Sequence, residues 1–378
     1  MAVREIGVAD HGGINALWES VWWPARSEAG WRWLEANPVL RERAAPQGWV
    51  LTDAQGGIKV VLGAVAQRFW RGDYCFYGLT GHSLVVSPDR RGASRHMIDR
   101  IIRQSGFFAC YTLNANILSH RLYGRFGFVS HPPATAHVRL AWVIDPAACL
   151  IGNALRHALA RRPALARRAG ERLMPRRLWR ESALVLPAGV SPLTGFDQAY
   201  DRFWQNLKGE GRLIADRGPE IQRWRLGDPD QNLRPLTFKY ERNGEIAGYA
   251  CAMFAKENPI EPLVLEIIDL AALAGAPEAV PALMAALLAA ARTRGAAKLR
   301  LAMVSPRLLE QLGAYARTAR REGGWTHAHV HLSADAPDIA DWAPTPFDGD
   351  LFMSLRTPPR PQNRPRNRPR NRARTAGG

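Results

Sequence analysis

The chain of 378 residues predicts an α/β protein in which one unit of strands and helices occurs twice. Three observations predict it. An apolar run, Leu84-Val85-Val86, breaks at Pro88-Asp89, and Met97, Ile98, Ile101 and Ile102 then recur at helical spacing. Runs flanking Gln55-Gly56-Gly57, and again Asn243-Gly244, read as β-hairpins. Landmarks of the first half also return in order in the second. Trp33 to Pro38 is echoed by Trp224 to Pro229, and Gly127-Phe128 before a strand at 136–143 is echoed by Gly324-Trp325 before a strand at 326–332. A strand at 263–270 and an alanine-rich helix at 280–292 lie between the later landmarks, so duplication of one α/β unit is the simplest account.

Taken in order, the first helix and the loop after it carry Trp18, Trp22, Trp23, Trp31 and Trp33. Indole faces stack on sugar rings, and the same residues serve equally as core. After the first hairpin, the run ending at Val86 turns into a helix that begins near Ser94, with Arg95, Asp99, Arg100 and Arg103 on its polar side. Unpaired N–H groups at that helix start, Gly92 and the charge of Arg91 suit an anion. An ordinary strand-turn-helix with solvated arginines fits the same residues. Downstream, Asn116-Ile117-Leu118-Ser119-His120-Arg121-Leu122-Tyr123-Gly124-Arg125-Phe126-Gly127-Phe128 reads as a helix presenting a tyrosine.

These two segments together resemble the GNAT superfamily of acyl-CoA N-acyltransferases. There an Arg-x-x-Gly-x-Gly/Ala turn holds the pyrophosphate of coenzyme A, and an Asn…Leu-Tyr-x-x-x-Gly-Phe segment completes the site. Here the turn matches at Arg91 and has Ser94 and His96 where the family prefers glycine or alanine; the second segment matches at Asn116, Leu122, Tyr123, Gly127 and Phe128. The resemblance covers roughly residues 3–145. It implies two GNAT-like domains, each a mixed, mostly antiparallel twisted sheet flanked by helices. The divisions expected are 1–148 for the acyltransferase domain, 149–190 for a basic helical connector, 191–356 for a degenerate second copy and 357–378 for a disordered tail. The second copy has no arginine in its turn at 271–278, and Glu278 there repels a phosphate.

What the resemblance implies chemically is transfer of an acyl group, acetyl first, from acetyl-CoA to a primary amine. Tyr123 is the expected proton donor to the departing sulfur. For the general base the choice stays open between His82, Glu19 and water. Arg91, Gly92, Ala93, Ser94, Arg95 and His96 are expected to hold the pyrophosphate, Val85 and Val86 to pair with the pantetheine arm, and Asn116 to complete the cofactor site. An amino sugar of a surface-polysaccharide pathway is the preferred acceptor. Two rivals are an inactive GNAT-fold scaffold and a transferase fed by aminoacyl-tRNA.

The net charge of +17 is local. Residues 151–180 hold nine arginines against Glu171, and residues 351–378 hold eight arginines and no acid, which leaves the rest near neutral. That argues against specific nucleic-acid binding and leaves weak contact of connector and tail with an anionic membrane as an expected partner. The repeated Asn-Arg-Pro-Arg of the tail cannot build a core. Cys75, Cys110, Cys149 and Cys251 form no Cys-x-x-Cys pair, and the sequence shows neither secretory signal nor long apolar span, so a cytoplasmic protein with free thiols is expected. His327, His329 and His331 alternate on one strand, spread over ~13 Å, too wide for one metal ion.

Overall fold

The computed structural model describes residues 3–21, 23–159, 162–172, 174–180, 182–256, 260–323 and 327–357. The expectations for Trp22, for Gly324 to Thr326 and for a disordered tail beyond 357 lie outside them. In chain order the strands are β1 (Val3–Glu5), β2 (Gly48–Thr52), β3 (Ile58–Arg71), β4 (Tyr74–Val86), β5 (Ala109–Ala115), β6 (Val129–Ser130) and β7 (Arg139–Val143). There follow β8 (Val190–Pro192), β9 (Ile214–Ala215), β10 (Leu236–Arg242), β11 (Glu245–Ala255), β12 (Val264–Ala272), β13 (Lys298–Leu301), β14 (Arg320–Glu322) and β15 (His327–Leu332).

They build two mixed sheets. One runs β1-β2-β3-β4-β5-β15-β6, with β9 also on β3; the other runs β14-β7-β13-β12-β11-β10-β8. All pairings are antiparallel except β4 with β5 and β12 with β13. The hairpins form as expected, the second closing through Asn243 and Gly244, both at positive φ as a two-residue turn requires.

The strands that follow the two Gly-aromatic landmarks have changed places. Read from the sequence, 136–143 belongs to the first unit and 326–332 to the second. Instead β7 lies between β13 and β14, and β15 lies between β5 and β6. Neither sheet is therefore drawn from one contiguous stretch, and the division at 148/149 does not separate them. Both strands are short and largely buried, so their patterns suit a sheet interior without saying which sheet.

The halves also meet through the repeated tryptophans. Trp33 and Trp224 stack with ring centres 5.2 Å apart, Trp33 Nε1 donates to the Trp224 carbonyl at 2.6 Å, and Trp224 Nε1 donates to the Trp33 carbonyl at 2.8 Å. One buried cluster runs from Ile14 and Trp49 through Tyr200 and Tyr249 to Phe347 and Leu355, tying both halves together. In the connector, Leu178 is buried, whereas Leu150, Ile151 and Leu165 face solvent on the helices Pro146–Leu159 and Pro163–Arg172. Among the described residues no helix is long and apolar enough to cross a membrane.

Candidate active site

The site begins where two strands part. β4 and β5 pair in parallel at Gly78, Leu79 and Thr80 with Ala109, Cys110 and Tyr111, and the ladder stops there. β4 continues against β3 as far as Val86, but with a bulge: Val61 faces Val85 and Gly63 faces His82, so Ser83 and Leu84 together oppose Leu62. Ser83 sits at φ 53°, a strained conformation for a side-chain-bearing residue. The bulge bends β4 away from β5. Into the resulting wedge opens a cavity of about 280 Å³, lined on one side by Gly81, His82, Ser83 and Leu84 and on the other by Thr112, Asn114, Ala115 and Asn116. Tyr123, Ser119, Trp23 and Asp350 complete its polar and aromatic lining.

At the end of the same strand is the turn. Val85 is buried and Val86 half-buried, and the helix Ser94–Ile102 starts where its apolar spacing places it. Gly92 has φ 88°, which glycine tolerates and other residues resist. Arg91, Gly92, Arg95 and His96 are exposed, and Ala93 and Ser94 are half-buried. Asp89 is engaged by Lys59 and Arg90, whereas no described carboxylate lies within ion-pair distance of Arg91 or Arg95. Two guanidiniums without a described carboxylate partner thus stand beside a helix start, where electrostatics favour an anion.

Asn116 caps the helix Ile117–Tyr123, its Oδ1 accepting from the Ser119 amide at 2.9 Å. This fixes the helix across the mouth of the wedge and aims Tyr123 inward. The tyrosine is buried against Phe128, ring centres 5.0 Å apart, and His329, 5.5 Å apart. Burial, and then the charge of Asp350, hold its phenol protonated well above the ordinary range, while a hydrogen bond with Thr112 acts the other way.

The two side chains offered as the base fare differently. His82 lines the cavity, but its ring is packed against Gly63, where a Cβ would come within 2.2 Å of Nε2. Burial, with the nearby Arg26 cation, pushes His82 down to about 3, so its imidazole is neutral and a poor proton acceptor. Its Nδ1 lies 3.0 Å from Ser83 Oγ, across the bulge it helps to shape. Glu19 is exposed on the first helix and does not line the cavity. A buried carboxylate does line it: Asp350, raised to about 7 by burial. Sequence reading missed Asp350 because it lies near the end of the second half, far along the chain from the first-half motifs; the one signal was a pair of acids, Asp348 and Asp350, within an otherwise apolar stretch.

The tryptophans are mostly core. Trp18 and Trp31 are buried and stacked at 5.5 Å, Trp33 is held by Trp224, and among the described members only Trp23 reaches the cavity. The histidine strand is likewise altered: a register shift falls between His327 and His329, both rings meet His120 at 4.4 and 4.8 Å, and His331 stands beside Phe128. His120 Nδ1 and His329 Nε2 share a hydrogen bond of 2.8 Å, and His329 is lowered to about 4 by burial and then by the two neighbouring rings. Among the described residues no group of His, Cys, Asp or Glu is arranged to hold a metal ion.

With this geometry in view, comparison with solved structures places the fold. The chain matches a conserved protein of Enterococcus faecalis V583, a probable N-acyltransferase, with a TM-score of 0.50 and 10% identity over 88% of this chain and 72% of that one. It matches a GCN5-related N-acetyltransferase from Anabaena variabilis ATCC 29413 equally, with a TM-score of 0.50 and 13% identity over the same shares. No protein-family model matches the sequence, and no curated protein does. The chain has the GNAT fold.

Proposed function

We propose that the chain is an acyl-CoA-dependent N-acyltransferase acting on a primary amine. One observation carries the reading: the strands that part at Thr80 and Tyr111 open a cavity holding Tyr123, and the same strand ends in a turn with two unpaired arginines. A cofactor with a pyrophosphate at one end and an extended arm fits that sequence of features. Arg91 to His96 would hold the phosphates, and Val85 and Val86 would receive the arm along the parted edge, as an added strand is received. Acyl-CoA supplies the thioester. Tyr123, kept protonated by its burial, stands ready to give its proton to the departing sulfur. The acyl group in this reading is a small one such as acetyl, set among the lining side chains Leu62, Leu84, Leu351 and Leu355. Of the described tryptophans of the cluster Trp23 alone lines the cavity while the others pack in the core, so the reading stops at an amine. Isothermal titration with acetyl-CoA tests it: binding in the micromolar range is expected, and none at millimolar ligand would sink the enzyme reading.

A further inference from the structure

Resting on that reading, we infer that Asp350, delivered from the far end of the chain, is the group that takes the proton from the incoming ammonium. The segment that carries it is clamped on both sides. Before Asp350, the Asp348 carbonyl accepts from Gln67 Nε2 at 2.7 Å and from Tyr111 OH at 2.8 Å, and the Asp348 carboxylate binds Arg217 and Trp342 Nε1. After it, the Met353 carbonyl accepts from Arg26 at 3.1 Å and the Leu355 carbonyl from Gln231 Nε2 at 2.9 Å. Amid these satisfied groups Asp350 lines the cavity, 9% exposed, and its Oδ1 is buried with no hydrogen-bond partner among the described residues.

A buried carboxylate oxygen without a donor is costly unless a ligand supplies one. An ammonium does so. The cavity sets Asp350 and Tyr123 in one chamber, near enough that the charge of the first bears on the phenol of the second. Its raised affinity for a proton suits it to the role, since an ordinary carboxylate is too weak a base for an amine. In the step, Asp350 takes one N–H proton of R–NH₃⁺. The neutral nitrogen forms a C–N bond with the acyl carbon as the C–S bond breaks. The sulfur takes the phenolic proton of Tyr123, and the second proton shed by nitrogen restores that phenol.

The test compares two nucleophiles with acetyl-CoA as donor at about pH 7.5: methylamine, which arrives as an ammonium, and hydroxylamine, which arrives neutral. Asp350→Asn is expected to lose roughly 100-fold in transfer to methylamine and to stay within about threefold of wild type on hydroxylamine, with acetyl-CoA affinity unchanged. Equal losses on both nucleophiles, or no loss on methylamine, would overturn the assignment. So would a wild-type protein that binds acetyl-CoA and transfers to neither. Absence of acetyl-CoA binding instead defeats the acyltransferase reading itself. Should Asp350→Asn not fold, Asp350→Glu keeps a proton acceptor and is expected to stay within roughly tenfold of wild type on methylamine, an equal fall on both nucleophiles counting against the proposal.

A second readout needs no turnover. Asp350 binds its proton more tightly folded than unfolded, so its stabilising effect is full below about pH 4 and is lost as pH rises towards about 7. Tyr111 and Tyr123, the titrating groups that feel its charge, stay neutral through that window, as does His82 above about pH 3. The Tm of wild type should therefore fall relative to Asp350→Asn across it, and parallel curves would mean that Asp350 is not the unpaired buried carboxylate this proposal requires.

Discussion

Among the described residues two wedges lie between parting strands, one open and one filled. In each sheet a single parallel pair lies among antiparallel strands, β4 with β5 and β12 with β13. The second pair runs from Val264 and Lys298 to Ile267 and Leu301, and beyond it the strands separate just as the first pair does. There the resemblance ends. Beside the second parting Arg217 is fully buried, its guanidinium on the Asp269 carboxylate at 2.9 and 3.2 Å, on Asp348 at 2.7 Å and on Thr345 Oγ1 at 2.9 Å. The remaining void measures about 20 Å³, against about 280 Å³ in the first wedge. At the adjoining helix start, Glu278 lies where the first wedge has its exposed arginines, and it pairs with Arg242. Parting strands alone leave no cavity. What decides is whether the protein's own charges fill the gap or leave it for a ligand.

The largest effect should come from unplugging the second wedge. Arg217→Ala removes the cation that, among the described residues, stands within ion-pair distance of both Asp269 and Asp348, and a loss of about 5 kcal/mol is expected by urea unfolding. A loss under about 1 kcal/mol would mean that the plug is not what closes that wedge. Next, Tyr123→Phe keeps the ring that packs on Phe128 and His329 and removes the hydroxyl with its proton. Turnover should drop on the order of 100-fold, about 2.7 kcal/mol, with acetyl-CoA affinity kept; an unaltered rate would make both wedges structural.

A smaller effect tests the turn. Gly92→Val forces a branched side chain to φ 88°, and a cost of about 1–2 kcal/mol should appear as roughly tenfold weaker acetyl-CoA binding, whereas Gly275→Val in the second turn should leave binding untouched. Smallest is the seam. Trp33→Phe removes one indole donor and should cost about 1 kcal/mol in Tm or urea experiments, and the double variant with Trp224→Phe should cost less than the sum.

Much of the first wedge was legible in the sequence because its parts are local. The strand into Val86, the helix from Ser94 and the helix ending at Tyr123 each follow from spacing and breakers over a dozen residues. Asn116 was read as part of the cofactor site, and its capping of the helix Ile117–Tyr123 emerges only from the structure. The bulge at Ser83 was not legible, since it arises from a mismatch with Leu62 on another strand. Nor was the part of Asp350, which depends on the clamp formed by Gln67, Tyr111, Arg217 and Arg26, all far away along the chain. The exchange of β7 and β15 escaped the sequence for the same reason: two short strands that each bury their middle residues suit either sheet, and only three-dimensional packing chooses.

That exchange bears on how the protein is born. His120 and His329 are 209 residues apart in the chain, yet they meet across the closure of the first sheet. A ribosome adding ~5–20 residues per second completes β5 long before β15 exists, and the intervening loop must then be closed against its entropy. For that interval the nascent first half carries a bare strand edge, the kind of surface that recruits wrong partners. Synthesis order thus makes the most conspicuous half of the sequence the one whose sheet waits longest for its last strand.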